Sequence, residues 1–140
     1  MSSIKVSVVS AEHEIYSGEG VFVSAPATLG EVGIKPRHAP MLTLLAPGEI
    51  KVTAVDESEE AFFVTGGILE VQPDAVTVLS DIALRARDLD EAKATEAKAR
   101  AEKLMQDRAT DIDFAVAQAE FAEAVAQLHT IQRLRRRQGR

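Results

Sequence analysis

The chain has no cysteine and no tryptophan, and only three histidines among its 140 residues. Without cysteine there is no disulfide framework, no thiolate metal site and no cysteine nucleophile. His13, His38 and His129 are dispersed and make no histidine-rich metal cluster. Aromatic residues are 4% of the chain, and none stands among the C-terminal arginines to make a stacking platform for nucleic acid. Long apolar runs are also missing: the longest near-apolar one, Met41 to Ala46, is far too short to span a bilayer. The opening Met1-Ser2-Ser3-Ile4-Lys5 lacks the basic-then-apolar layout of a secretory signal. These absences lead us to expect a cytoplasmic protein that reaches a membrane only through a partner.

Catalytic signatures are absent as well. No G-x-x-x-x-G-K-[ST] loop cradles a phosphate, and no G-x-S-x-G elbow or H-E-x-x-H pair occurs. Gly30 and Gly33, in Leu29-Gly30-Glu31-Val32-Gly33, read as a turn, with no long helix behind them to receive a phosphate.

Proline and glycine are missing from one half only. All five prolines and seven of the eight glycines lie at or before Pro73, and neither type recurs until Gly139. We place the boundary between two units near residues 84–88, giving 1–86 and 87–140. Charge divides at the same place. Residues 1–84 hold 4 basic and 12 acidic side chains, and the remainder holds 12 and 10, for a net charge of −6. The positive excess gathers at Arg133, Arg135, Arg136, Arg137 and Arg140. An acidic body with a basic tip points to different partners at the two ends.

What is present has two periodicities. Ile4, Val6 and Val8 alternate with Lys5 and Ser7; Val21 with Val23, Ile50-Val52-Ala54 and Val76-Val78 repeat the pattern. Period two in β-branched residues predicts half-buried strands. Ser17–Gly20, Pro47-Gly48, Asp56–Glu59, Gly66-Gly67 and Pro73-Asp74 read as the turns between them. Strands recurring at this rate predict a sandwich or a barrel. The second unit has helical spacing. Asp88 followed by Glu91 reads as a capping box that opens a first helix striped with Ala94, Ala97, Ala101, Leu104 and Met105. Gln106 to Asp111 reads as a turn, and Asp111 or Asp113 as the cap of a second helix. That helix carries Phe114, Ala117, Phe121, Ala124, Leu128 and Ile131 at spacings of three and four. The two helices make an antiparallel hairpin. At about 0.8 kcal/mol per buried CH₂, its alanine stripe holds weakly, so we expect a marginally closed hairpin.

The candidate residues have competing readings. His38, between Pro36 and Pro40, reads as a hydrogen-bonding residue of a stiff loop before it reads as a catalytic base. Asp56, Glu57, Glu59 and Glu60 lack EF-hand spacing and read as a solvated hairpin turn. The terminal arginines suit a helix C-terminus, an acidic protein surface or phosphates. Nucleic acid fits them poorly because the body is acidic.

Five segments, in order, then stand out: Val9-Ser10-Ala11-Glu12; Gly30-Glu31-Val32-Gly33-Ile34 with His38-Ala39-Pro40; Gly66-Gly67-Ile68-Leu69-Glu70-Val71; Val76-Thr77-Val78-Leu79; and Leu89-Asp90-Glu91-Ala92-Lys93-Ala94. Together, ahead of an alanine-rich hairpin, they resemble the bacterial epsilon subunit of F-type ATP synthase over essentially the full length. The resemblance implies a β + α chain: an antiparallel β-sandwich that binds the gamma subunit and the c-ring, then a regulatory two-helix hairpin. It implies a noncatalytic rotor subunit of a proton-translocating enzyme, peripheral on the cytoplasmic face of the bacterial plasma membrane. Glu31, His38 and Leu42 would belong to the rotor-facing loop. The extended hairpin would inhibit ATP hydrolysis, with Arg133, Arg135, Arg136 and Arg137 meeting the beta and alpha subunits. Some members bind ATP through Ile/Leu-Asp-x-x-Arg-Ala. Here Asp90, Lys93 and Ala94 match that motif, with Arg133 as a phosphate contact, and Lys93 replaces the arginine fork, which implies weak binding and no other cofactor. Two rival readings stay open: a stand-alone ATP-sensing module, and a nucleic-acid adaptor working through the arginine tip.

Overall fold

The computed structural model describes residues 2–107 and 111–138, and for 111, 112 and 138 the backbone alone. Contacts divide the chain into Met1–Ala86 and Arg87–Arg140.

The first unit is built from nine strands: β1 (Ile4–Ser10), β2 (Glu14–Ala27), β3 (Gly30–Ile34), β4 (Met41–Leu45), β5 (Gly48–Ala54), β6 (Glu59–Val64), β7 (Gly67–Gln72), β8 (Ala75–Ser80) and β9 (Ala83–Arg85). They pair in the order β1-β8-β7-β4-β2-β5-β6-β9, with β3 added to β2 and β1 also pairing β2. The second β1 pairing closes the sheet on itself into two layers. Every pair is antiparallel but one: β1 and β8 run parallel, Val6 opposite Val76 and Val8 opposite Val78. The alternation fills the interior as expected. Ile4, Val6, Val8, Val23, Ile50, Val52, Leu69, Val71, Val76 and Val78 are buried in one core with Phe62 and Val64.

The long strand β2 corrects two expectations. Ser17–Gly20 is not a turn. It continues β2, with Gly18 opposite Val6 and Gly20 opposite Ile4. Glycine at position 20 suits a crowded point for another reason: a Cβ there would stand 3.2 Å from the Thr53 carbonyl and 3.3 Å from Val6 Cγ2, because β1 and β5 both close on β2 at that point. A register shift between Gly20 and Phe22 then interrupts the alternation. Val23 is therefore buried while Val21 is only half-buried. The Gly30–Gly33 turn is also a strand, β3; the bend precedes it at Thr28-Leu29. Gly33 lies over the Phe22 ring, where a Cβ would meet Cζ at 2.8 Å.

The acidic run divides in two. Asp56 turns the β5–β6 hairpin, accepting hydrogen bonds from the Ser58 amide (3.0 Å) and hydroxyl (2.5 Å). These bonds hold its carboxyl below the ordinary range. Glu59 and Glu60 belong to β6, where they pair with Lys51 and Arg85. Arg85 fastens the short β9 to its neighbours. One nitrogen meets Glu60 at 3.2 Å, another donates to the Ile15 carbonyl at 3.2 Å, and the guanidinium lies 5.5 Å from the Phe62 ring centre. Tyr16 packs on the same ring at 5.2 Å. Burial, with Glu60 nearby, raises the Tyr16 hydroxyl above its ordinary value.

In the second unit a 3₁₀ turn, Ala86–Asp88, leads into α1 (Glu91–Asp107) and then α2 (Asp111–Gln138). The cap of α1 is Asp90, not Asp88, which lies in the 3₁₀ turn: Asp90 Oδ1 accepts from the Lys93 amide at 3.2 Å. Of the expected turn over Gln106 to Asp111, Gln106 and Asp107 belong to α1 and Asp111 to α2; residues 108–110 lie outside the described ones. Asp113 consequently stands inside the first turn of α2, and the Asp111 side chain is outside the described set. The seam between the helices is small-residue packing: Ala94, Ala101, Ala117 and Ala124 are buried, with Ile131 continuing the α2 stripe. Leu104, expected in that stripe, is exposed. Lys98 lies 6.0 Å from the Phe121 ring centre, covering part of its face.

Candidate functional site

The residues expected to face a partner do not share one loop. Glu31 is exposed on β3, opposite Pro26. Leu42 is exposed on β4, opposite Glu70. Only His38 sits in the intervening turn, half-buried, with its Nδ1 2.7 Å from the Ala39 carbonyl. The turn is held by the Arg37 amide donating to Pro73 O at 2.8 Å, with Arg37 itself at φ 67°. His38 is placed as a loop hydrogen-bonding residue, as its flanking prolines suggested.

A larger feature was hidden in the sequence. Strands β4, β7, β8 and β1 turn one face inward and leave the other free of the core. Residues directly opposite across strands share a face. Leu44 is opposite Ile68, Ile68 is opposite Leu79, and Leu79 is opposite Val9. Leu44, Ile68 and Leu79 keep 61%, 39% and 43% of their surface exposed, so the row lies outside the core. A contiguous exposed apolar row of this kind marks a surface that another molecule covers. Its β1 end opens into a hollow of about 350 Å³ lined by Val9, Ser10, Gly66, Ile68, Leu79 and Asp81, among others. Gly67 at its floor has φ 128°, and a Cβ there would lie 2.0 Å from the Leu79 carbonyl oxygen. The sequence signal for the row was the doubling of apolar residues, Leu44-Leu45, Ile68-Leu69 and Val78-Leu79, where strict alternation would put one polar partner outside.

The basic tip lies on the last turns of α2, which outruns α1 at 28 residues against 17. Arg133, Arg135 and Arg136 are exposed and Arg137 is half-buried. Arg135 forms an ion pair with Glu91 at the start of α1.

The residues matched to a nucleotide motif stand at the start of α1. The Asp90 carboxylate is committed to the α1 cap, Ala94 is buried, and Lys93 is exposed without a fork. A cleft of about 370 Å³ between the helices is lined by Ala97, Arg100, Glu120, Glu123, Ala124 and Gln127. Burial raises the Glu123 carboxyl, and Glu120 beside it raises it further. Two carboxylates against one guanidinium make this cleft a poor host for polyphosphate.

Comparisons with known proteins cover both units. The family described as ATP synthase, Delta/Epsilon chain, beta-sandwich domain matches residues 3–86. The family described as ATP synthase, Delta/Epsilon chain, long alpha-helix domain matches residues 87–132. Among similar curated proteins, the ATP synthase epsilon chain of Halorhodospira halophila is 54% identical over 138 residues, 98% of each chain. That of Nitrosospira multiformis is 55% identical over 137 residues, covering 98% of this chain and 99% of its own. Among solved structures, a chain of the Euglena gracilis mitochondrial ATP synthase OSCP/F1/c-ring assembly superposes with a TM-score of 0.82 at 16% identity, covering 90% of this chain and 79% of that one.

Proposed function

The chain belongs to the ATP synthase Delta/Epsilon chain family, and from that premise we propose that it works as a noncatalytic central-stalk subunit. The sandwich passes c-ring rotation to the catalytic head, and the hairpin restrains ATP hydrolysis. The observation that carries the reading is the row Leu44, Ile68, Leu79 and Val9. A stalk subunit needs one face committed to a rotor shaft. A row that crosses four strands, with a hollow at one end, offers such a face to the gamma subunit. Apolar packing at the middle of an interface resists sliding under torque because the buried side chains interlock. Glu31, His38 and Leu42 are assigned to the c-ring side of the sandwich.

The hairpin supplies the regulatory half. Its alanine seam makes separation of the helices inexpensive. Once extended, α2 brings Arg133, Arg135, Arg136 and Arg137 to acidic segments of the beta and alpha subunits, where charge-assisted bonds favour the open form. Bond chemistry stays on the catalytic subunits. ATP, if it meets Asp90, Lys93, Ala94 and Arg133, binds weakly, which argues against the ATP-sensing module. Among the described residues no helix is long and apolar enough to cross a membrane. The reading places the chain at the cytoplasmic face of the bacterial inner membrane through its partners.

The test is titration of the full chain, and of a chain ending after Arg87, into an ATP synthase catalytic core stripped of this subunit. Both forms bind, and only the full chain slows hydrolysis. Leu79→Asp weakens binding at least ~10-fold, because a charge is then buried unpaired at the interface. Failure of both forms to bind overturns the proposal.

A further inference from the structure

We infer that the ion pair between Glu91 and Arg135 is a clasp: it holds the hairpin shut and withholds Arg135 from an acidic partner until the helices part. This rests on the hairpin-opening reading above. Glu91 is the first residue of α1, and Arg135 lies in the closing turns of α2, 44 positions away. The pair therefore joins the two ends of the hairpin that lie far from its connection. Between them the seam consists of methyl groups from Ala94, Ala101, Ala117 and Ala124. A fastening at the free ends opposes fraying beyond Ile131, the last buried apolar side chain of α2 among the described residues.

Local physics selects this pair. Side chains on a helix lean toward its N-terminus, so Arg135 reaches back along α2 toward the start of α1. Asp90, one residue earlier, uses Oδ1 to cap α1 by accepting the Lys93 amide, and Glu91 carries the contact to Arg135. Each charge also suits its own helix end, acidic at the start of α1 and basic at the end of α2, so each helix keeps that stabilisation when the pair separates. The guanidinium engaged by Glu91 is the same fork that an acidic surface would grip, so the two uses compete. Both side chains are largely exposed, at 62% and 44%, so the clasp is weak by construction. It shifts the closed-to-open ratio by roughly two- to fivefold, enough to bias a marginal hairpin and little enough for a partner to override.

The experiment uses the full chain alone, with E91Q, R135Q, their double variant, and the charge swap E91R/R135E beside its two single reversals. Amide exchange is followed at the first turns of α1 and the last turns of α2. Each single substitution to glutamine is expected to speed that exchange roughly two- to fivefold, the double by less than the product of the two, and the swap by less than the product of its two charge reversals made singly, because each reversal also offends its own helix end. Amides of the sandwich core stay unchanged, which shows that the variants fold. Independent, multiplying effects in the double variant, or a swap as fast as its two single reversals multiplied, overturn the clasp. A second readout is inhibition of the stripped catalytic core. E91Q inhibits at lower concentration than the native chain and R135Q at higher. Equal shifts in one direction overturn the competition for Arg135. If no form inhibits, the hairpin-opening reading fails, while the exchange cycle still decides the clasp by itself.

Discussion

Truncating Ile131 to alanine tests how the hairpin is held. Four alanines, Ala94, Ala101, Ala117 and Ala124, are buried along the seam. At about 0.8 kcal/mol for each methyl, they contribute together about 3 kcal/mol. Ile131 extends the α2 stripe one heptad beyond Ala124 and is 7% exposed. Truncation of such a side chain costs ~2–5 kcal/mol, as much as the four methyls supply together. Its neighbour Thr130 does not compensate, since its hydroxyl is already spent on the Ala126 carbonyl at 2.9 Å. At tenfold per 1.4 kcal/mol, even the lower bound speeds exchange of the helical amides about 30-fold. Native-state amide exchange is the assay. In the native chain the helices exchange faster than Phe62, Val64 and Leu69 in the sandwich, and Ile131→Ala accelerates the helices alone. Two results refute the reasoning: helices as slowly exchanging as the sandwich in the native chain, or equal acceleration of both units in the variant.

Other predictions follow from single sites. Gly67→Ala forces a Cβ against the Leu79 carbonyl oxygen and a side chain onto φ 128°. The backbone strain alone costs ~1–2 kcal/mol and the clash adds to it, so the urea midpoint falls and the β7–β8 pairing loosens first. Glu123 has a raised carboxyl from burial and from Glu120, so the folded hairpin retains a proton that the unfolded chain releases. Its contribution is fully present below the ordinary value of 4.5 and is lost as pH rises through the raised one. Hairpin protection therefore grows on acidification, and Glu123→Gln flattens that dependence. Asp56 runs the other way: its lowered carboxyl stabilises above the ordinary value of 3.8, and this is lost as pH falls through the folded one. Ser58→Ala removes the hydroxyl bond and moves the Asp56 titration, followed by NMR, part of the way back to that value.

Legibility in the sequence followed the range of the interaction responsible. The β-strands around Val6, Val52 and Val78 were visible because burial on one face imposes a local period of two. The helices were visible because their stripes repeat within a few residues. Ser17–Gly20 misled because glycine there serves the close approach of β1 and β5, which lie outside that short segment, rather than a bend. Asp88 was preferred to Asp90 because Glu91 follows it at the spacing of a capping box, and only backbone geometry shows which carboxylate meets an amide. Leu104 matched the spacing of a stripe whose usable width is set by the neighbouring helix.

The candidate site divides in the same way. The basic tip and the motif around Asp90 are linear features, readable in order along the chain. The apolar row was not, because Leu44, Ile68, Leu79 and Val9 come from four strands and meet only through the registers of three separate pairings. What the sequence by itself determined is the division into a β unit and an α unit and which face of each element is apolar. Local stereochemistry and the hydrophobic effect act on every short segment. What only the tertiary structure decided is which apolar residues stay outside the core and which charges meet. Glu91 and Arg135 are 44 residues apart, and nothing in either local sequence selects the other until the helices fold back together.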